Sequence, residues 1–385
     1  MTTIQEIEAY KAEMTAWRHQ LHRQPETAFQ EAVTSEFVAS KLREFGIDVH
    51  RGLAGTGVVG TLSAGAGNRA VGLRADMDAL DIQEKNTFSY ASTVPGKMHA
   101  CGHDGHVTML LGAAKYLART RRFNGTVRFI FQPAEENEGG GRVMVEQGLF
   151  DTFPVDSVYA LHNWPAMPVG KFGVRRGPIM ASFDIFEITV TGKSCHAAMP
   201  HLGRDPIQCA AKIIDSLQVF VAREFSAFDS AVISVTQIHG GDTWNVIPDQ
   251  VVLRGTARAL KPEVRDAIEN GMKRIIEHVG AEHVCTTALR YERRYPPTIN
   301  TVDEVDEAIA AMADVVGRDN VADDTMPSMG AEDFAFLLNA RPGAYAFVGN
   351  GEHSAPLHNS SYDFNDEILP IGASYFARLA ERILA

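Results

Sequence analysis

Short apolar segments with strand character alternate with amphipathic helices along the first half of the chain. We predict strands at residues 57–60, 70–73, 126–131 and 157–161, with a helix at residues 106–120 between the second and the third. Apolar runs of this length between helices are typical of strands that are buried on both faces. The alternation therefore predicts an α/β fold with helices on both faces of a sheet.

Polar side chains follow the carboxyl ends of three of these predicted strands. Asp76 and Asp78 follow the second strand, Glu135 and Glu136 follow the third, and His162 follows the fourth. Open α/β sheets bind their ligands at this edge. We therefore expect these five side chains to meet in one crevice.

Cys101 and His103 lie two residues apart, just before the predicted helix at residues 106–120. Thiolate, imidazole and carboxylate donors together suit zinc and its neighbours, and not magnesium alone. A bare Cys-x-His pair also occurs as a buried thiol beside a capping histidine. The metal interpretation therefore depends on Glu136 and His162 at neighbouring strand ends.

Glu135 and Glu136 are adjacent carboxylates after a strand, so they point to different sides. One of them can bind a metal while the other accepts a proton from a water molecule. A solvated Glu- and Gly-rich loop is the alternative. Residues 132–134 argue against it, because they tie the pair to a strand end.

Several candidates stay open on the pattern alone. Spacing does not favour His358 over His353 as a ligand from the end of the chain. Asp76 and Asp78 are either ligands or groups that orient His103. His196, in a glycine-bearing turn, either reaches out of its domain or is an ordinary surface histidine.

The middle of the chain has a different order of elements, β-α-β-β-α-β. This order predicts a ferredoxin-like α+β module at residues 182–295, inserted into an α/β domain formed by residues 1–181 and 296–385. Two helices would cover one face of the module's sheet. The open face or an open edge is a common place for a partner.

Composition excludes some classes of function. The formal net charge is -12, which argues against nucleic acid as a partner, because phosphate binding needs a basic face. We find no apolar run long enough for a membrane span and no signal peptide in the polar residues 1–10. The four cysteines are sparse, so we expect reduced thiols and a cytoplasmic location.

A series of motifs along the whole chain resembles the metallo-amidohydrolase family of aminoacylases, hippurate hydrolases and plant auxin-amino acid conjugate hydrolases. The motifs occur in the family's order and are specific in combination. They lie at residues 17–31, 74–80, 98–104, 133–136, 161–163, 196–198, 245–248, 329–334 and 357–358.

The resemblance implies a zinc-peptidase-like α/β catalytic domain with an inserted ferredoxin-like dimerisation (lid) domain, and a homodimer or tetramer joined through that insert. It implies up to two divalent ions, of zinc, manganese, cobalt or nickel, and it makes Glu135 the general base. It implies that His196 stabilises the oxyanion, often across a dimer interface, and that Asn245 and Gly330 contact the substrate. The implied ligands are Cys101, His103, Glu136, His162 and His358.

One motif departs from the wider family. Its peptidase branches carry a metal-binding His-x-Asp where this chain has Asp76-x-Asp78. Cys101 and His103 would take over that duty. This assigns Asp78 to the groups that orient the ligands and leaves Asp76 open.

We therefore predict metal-dependent hydrolysis of N-acyl-L-amino acids to a carboxylate and a free amino acid. Dipeptidase activity, or deacetylation of the N-acetyl-diaminopimelate type, is the alternative within the family. A hydrolase with Cys101 as its nucleophile is a second alternative. A non-catalytic metal- or ligand-binding protein is a third, and an intact Glu135 argues against it.

Overall fold

The computed structural model describes residues 2–136 and 138–385. Its helices, in chain order, are α1 (Gln5–Glu8), α2 (Lys11–Arg23), α3 (Ala32–Glu44), α4 (His103–Thr120), α5 (Gly140–Glu146), α6 (Leu149–Thr152), α7 (Pro206–Glu224), α8 (Pro262–Glu282), α9 (Val302–Val316), α10 (Ala335–Ala340) and α11 (Leu369–Ile383). Its strands are β1 (Asp48–Leu53), β2 (Gly57–Ala64), β3 (Ala70–Asp76), β4 (Gly125–Gln132), β5 (Ser157–Pro165), β6 (Phe172–Gly173), β7 (Gly177–Met180), β8 (Phe183–Thr191), β9 (Cys195–His196), β10 (Ala231–His239), β11 (Val246–Ile247), β12 (Gln250–Ala259), β13 (Thr286–Tyr295), β14 (Thr298–Asn300), β15 (Val321–Ala322) and β16 (Gly343–Gly351).

The chain divides into two compact units. Unit 1 comprises the described residues up to Ile179, together with Ile299–Met326 and Asp333–Ala385, and unit 2 comprises Met180–Thr298 and Pro327–Glu332. The boundaries drawn from the sequence, at 181/182 and 295/296, stay predictions. No pattern in the sequence indicated that the short segment Pro327–Glu332 groups with the insert.

Unit 1 is built on a mixed eight-stranded sheet in the order β1-β2-β4-β3-β5-β16-β6-β15. Strands β4, β3, β5 and β16 are parallel to one another, and β1 and β2 extend the sheet with antiparallel pairs. The parallel strands are almost entirely buried, as expected for strands covered on both faces. The predicted α/β class is confirmed.

Several predicted bounds near the sheet edge were wrong. The fourth predicted strand is longer than expected, so His162 lies inside β5, where its backbone pairs with Phe347 of β16. Asp76 is the last residue of β3, and α4 begins at His103 instead of residue 106. A neighbouring strand extended β5, and a sequence pattern does not reveal such a neighbour.

Unit 2 contains an antiparallel four-stranded sheet in the order β10-β12-β8-β13. With α7 and α8 the chain order is β-α-β-β-α-β, the ferredoxin-like arrangement. Phe186, Ile188 and Val190 of β8 are buried in a core with side chains of α7 and α8, whereas Glu187 and Thr189 are half-buried. The buried carboxylate of Asp184 is paired with Arg265 of α8.

Among the described residues, none of the helices combines the length and apolarity that crossing a membrane requires.

Candidate metal centre

The five predicted ligands meet in unit 1 in overlapping groups. Within each group, one potential ligand atom per residue lies within 4.8 Å of the others. The groups are Cys101 with His103 and His162, Cys101 with Glu136 and His358, and His103 with Glu135 and Glu136. The thiol therefore lies between two donor sets, and the predicted base Glu135 lies beside one of them.

Cys101 and His103 reach the cluster because Gly102 turns the chain sharply into α4. Gly102 has a left-handed backbone, with φ 95°, and a Cβ added there would lie 2.2 Å from Asn163 Oδ1. Only glycine fits this close approach at positive φ. The turn brings the thiol and the imidazole to the same end of the sheet.

His162 is held in one tautomer by its neighbour. Its Nδ1 donates to the carbonyl oxygen of Asn163 over 2.7 Å, and its Nε2 lies 3.4 Å from Cys101 Sγ. Burial, followed by the nearby His106, holds the pKa of His162 well below its usual value. The ring is therefore neutral, and the Nε2 lone pair faces the cluster as a metal ligand requires.

Asp78 holds the turn that carries the two glutamates. Its carboxylate oxygens accept the backbone N–H groups of Glu135, over 3.0 Å, and of Glu136, over 2.9 Å. The same carboxylate lies 3.3 Å from His103 Nδ1. Asp78 thus contacts Glu135 and Glu136 through their backbone and His103 through its ring, as expected of a group that orients ligands.

His358 comes from a loop late in the chain and is anchored at the start of the Cys-x-His segment. Its backbone N–H donates to the carbonyl oxygen of Ala100 over 2.8 Å, and its Nε2 lies 3.2 Å from Glu136 Oε1. His353 belongs to none of the ligand groups found among the described residues. The geometry thus favours His358 over His353, a choice that spacing alone left open.

Asp76 already has hydrogen-bond and ion-pair partners of its own. It accepts from His106 Nδ1 over 2.6 Å and from Arg74 Nη1 over 2.7 Å, and it lies 3.8 Å from His103 Nε2. Burial alone would raise the pKa of Asp76, but His103, Arg74 and His106 outweigh burial and keep the carboxylate ionised. Asp76 could also belong to a donor group with His103 and His106.

Sequence reasoning missed three residues that support the site: Arg74, His106 and Asn163. His106 Nε2 lies 2.6 Å from Asn163 Oδ1 and accepts the backbone N–H of Asn163 over 3.2 Å, which links Asp76 to the strand that carries His162. A signal for His106 was present, because it follows His103 by three residues and so shares its helix face. Arg74 and Asn163 lie within the motifs at residues 74–80 and 161–163, but the motifs assigned them no role.

The electrostatics of the cluster fit bound cations. Burial and then Glu136 and Glu135 raise the pKa of Cys101 well above its usual value. Burial disfavours a charged His103, yet Asp76, Asp78 and Glu136 outweigh burial and raise its pKa to about 10. In the part of the chain that the structure describes, neither ring nitrogen of His103 has a hydrogen-bond partner. This concentration of acidic groups around a soft donor set is what divalent transition metals neutralise.

The remaining candidates lie in unit 2. His196 and Val246 pair in a two-stranded ribbon of β9 and β11, and the N–H of Ala197 donates to the carbonyl oxygen of Asn245 over 2.9 Å. His196 and Asn245 are both exposed. The exposed Gly330 is held by Ser328, whose Oγ accepts its N–H over 3.0 Å.

An α/β sheet that places buried thiol, imidazole and carboxylate donors beside a second carboxylate defines a metal-dependent hydrolase. The family model described as Peptidase family M20/M25/M40 matches residues 72–382, and the chain belongs to this family.

Relatives and a solved structure agree with this assignment over the full length. The chain is 41% identical to a hippurate hydrolase of Campylobacter jejuni, with 100% of both chains covered. It is 39% identical to an IAA-amino acid hydrolase of Arabidopsis thaliana, covering 96% of this chain and 86% of the relative. A Bacillus subtilis protein described as a dinuclear metal binding peptidase superposes with a TM-score of 0.87 at 34% identity, covering 98% of this chain and 99% of that one. The protein is therefore an amide-hydrolysing enzyme with a site for divalent metal ions.

Proposed function

We propose that the protein hydrolyses the amide bond of N-acyl-L-amino acids through a centre of up to two metal ions. The observation that carries the proposal is the turn at Glu135 and Glu136. It places one carboxylate in a donor group with Cys101 and His358, and the other beside His103. The names of the relatives, hippurate hydrolase and IAA-amino acid hydrolase, support this substrate class.

The donor set suits zinc, manganese, cobalt or nickel. When bound, such ions polarise the scissile carbonyl and lower the pKa of a water molecule. The residues that would hold them are Cys101, His103, Glu136, His162 and His358.

Glu135 is the proposed general base. Its carboxylate accepts a proton from the water that attacks the scissile carbonyl carbon. It then gives this proton to the leaving nitrogen as the C–N bond breaks. The products are a carboxylate and a free amino acid, so atoms and charge balance.

His196 is the proposed donor to the oxyanion. The N–H of Ala198 donates to His196 Nδ1 over 3.1 Å, which leaves the ring proton on Nε2. An exposed Nε2–H at the end of a ribbon can donate to a developing oxyanion. Asn245 and Gly330, also exposed in unit 2, are proposed to contact the substrate.

A homodimer or a tetramer through unit 2 is the proposed assembly. Exposed apolar side chains surround the ribbon and continue onto β10, an edge strand with unpaired backbone groups. A second copy that covers this surface could bring its own His196 to the site. The exposed apolar residues are Met199, Leu202, Ile207, Ile238, Trp244 and Val246.

The alternative with Cys101 as nucleophile has less support. A nucleophilic cysteine must ionise near neutral pH. Burial and two glutamates instead raise the pKa of this thiol. A cytoplasmic location also stays a prediction, and the four free cysteines support it.

The test is hydrolysis of a panel of benzoyl-, acetyl-, indole-acetyl- and long-chain acyl amino acids, with dipeptides and N-acetyl-diaminopimelate included. The panel is run on chelator-treated protein and again after zinc, manganese, cobalt or nickel is added. We expect activity to vanish with the metal and to return with it, and Glu135→Gln to bind metal normally but lose turnover by about 100-fold or more. Activity that survives chelation, or near-normal turnover in Glu135→Gln, would contradict the proposal.

A further inference from the structure

Glu31 is a buried carboxyl group outside the ligand set, and its contacts lead to the catalytic turn. Its side chain is fully buried, and the described residues offer it no ion pair. Its Oε1 accepts the backbone N–H of Ala134 over 2.9 Å, directly before Glu135 and Glu136. Its Oε2 accepts the hydroxyl of Thr56 over 2.6 Å.

The backbone held by Glu31 is in an unfavourable conformation. Ala134 has φ 55°, in the left-handed region that residues with a Cβ rarely adopt. Phe29, whose N–H donates to the same oxygen over 3.0 Å, has φ 60°. One carboxyl oxygen therefore holds two non-glycine residues in left-handed conformations, and such conformations persist only where the surroundings enforce them.

Glu31 and Asp78 together accept the backbone N–H groups of the turn. Three consecutive N–H groups, of Ala134, Glu135 and Glu136, donate to carboxyl oxygens of these two residues. The glutamate side chains can keep a fixed direction only if this backbone does not rotate. Asp78 holds the last two N–H groups, and Glu31 holds the first.

Helix capping does not explain the side chain of Glu31. Glu31 precedes α3, but its carboxyl group makes no capping hydrogen bond to that helix. Glu26 does this instead, by accepting the N–H groups of Val33, over 3.0 Å, and Thr34, over 2.8 Å. The chain thus supplies a matched control close by.

We propose that Glu31 is a positioning residue of the reaction, which holds Ala134 so that Glu135 and Glu136 face the metal centre. The roles of the two glutamates rest on the proposed function. The hydrogen bonds need an acceptor of the right reach, and a full negative charge is not required. Burial, followed by Asp78, raises the pKa of Glu31 to about 7, so the neutral carboxyl is populated near neutral pH.

The experiment compares Glu31→Gln, Glu31→Asp, Glu31→Ala and Glu26→Ala in the full chain. The first readout is zinc affinity, by competition with a chromophoric chelator, which needs no substrate. Glu31→Ala should bind zinc about 10- to 100-fold more weakly, as is typical when a group that orients ligands is lost. Glu31→Asp keeps a carboxyl group but withdraws its oxygen from Ala134, so it should weaken zinc binding in the same direction.

The second readout is kcat and KM at saturating zinc with the best substrate of the panel. Glu31→Ala should lose about 100-fold in kcat with KM nearly unchanged, as misplaced catalytic groups do. Glu31→Gln should keep most of both properties, because its amide oxygen can still accept from Ala134. Glu26→Ala should lower the melting temperature but keep wild-type kcat and zinc affinity.

Three results would overturn the proposal: wild-type zinc affinity in Glu31→Asp, a loss in Glu31→Gln as large as in Glu31→Ala, or an equal loss in Glu26→Ala. If Glu31→Ala does not fold, Glu31→Asp and Glu31→Gln decide the matter. If the wild type hydrolyses nothing in the panel, the proposed function fails, and zinc affinity still tests the role of Glu31.

Discussion

Replacing Asp78 by asparagine tests how the turn at Glu135 and Glu136 is held. Asp78 is almost fully buried, and its two oxygens accept the N–H groups of Glu135 and Glu136 over 3.0 and 2.9 Å. Asparagine has the same shape but only one acceptor oxygen. One buried N–H of the turn would therefore face an amide NH₂ group and lose its partner.

The expected size of the effect follows from that lost hydrogen bond. A hydrogen bond to a charged group contributes about 1.5–3 kcal/mol. If the whole loss falls on the transition state, turnover drops roughly 10- to 140-fold, at about 1.4 kcal/mol for each factor of ten. Because the carboxylate also lies 3.3 Å from His103 Nδ1, zinc affinity should fall about 10- to 100-fold.

The assay is kcat at saturating substrate and zinc, with zinc affinity measured by competition and the fold checked by circular dichroism. Asp81→Asn is the control. Asp81 follows Asp78 by three residues and is exposed, so the variant removes the same charge without removing a buried acceptor. We expect the control to behave as the wild type. A folded Asp78→Asn protein with turnover within twofold of wild type and unchanged zinc affinity would refute this account of the turn.

Three further predictions concern protons, stability and the second unit. The raised pKa values of Cys101 and of His103, about 10, keep both groups protonated at pH 7 without metal. Metal uptake should therefore release about two protons, and affinity should rise with pH, as calorimetry in buffers of different ionisation enthalpy can measure. Asp184→Ala removes the partner of the buried Arg265 and should lower the free energy of unfolding by about 3–5 kcal/mol, measured by denaturant titration. His196→Ala should reduce kcat about 100- to 1,000-fold and leave zinc content unchanged, by turnover assay and elemental analysis.

Each of these predictions has a contradicting result, and the last two also have a control variant. Metal uptake without proton release would contradict the prediction that Cys101 and His103 lose protons when they bind the metal. Asp215→Ala, which breaks an exposed pair with Lys212, should change stability by no more than about 1 kcal/mol, and an equal loss in both variants would contradict the role of burial. His201→Ala, also exposed in unit 2, should keep wild-type turnover, and an equal loss there would remove the special role of His196.

The α/β class was predictable because hydrophobic periodicity is a local property of the sequence. The order of strands and helices in the ferredoxin-like unit was predictable for the same reason. The bounds were less predictable where tertiary pairing extended an element, as β16 does for β5 beyond His162. α4 starts at His103 directly after the left-handed Gly102, a position where an added Cβ would lie 2.2 Å from Asn163 Oδ1. Periodicity carries no information on such contacts.

The sequence by itself determined the chemistry available to this protein, because donor types and the motif order are properties of the chain. It indicated a soft transition-metal centre with a spare carboxylate, and through its resemblance it indicated the ligands. Only the tertiary structure decided which distant groups contact the candidate ligands and the turn that carries Glu135 and Glu136. Asp78 against the turn of Glu135 and Glu136, His106 against Asp76, and Glu31 against Ala134 are contacts between segments far apart in the chain. Burial then sets the pKa values, because a carboxyl group or a thiol titrates according to its neighbours in space and not its neighbours in sequence.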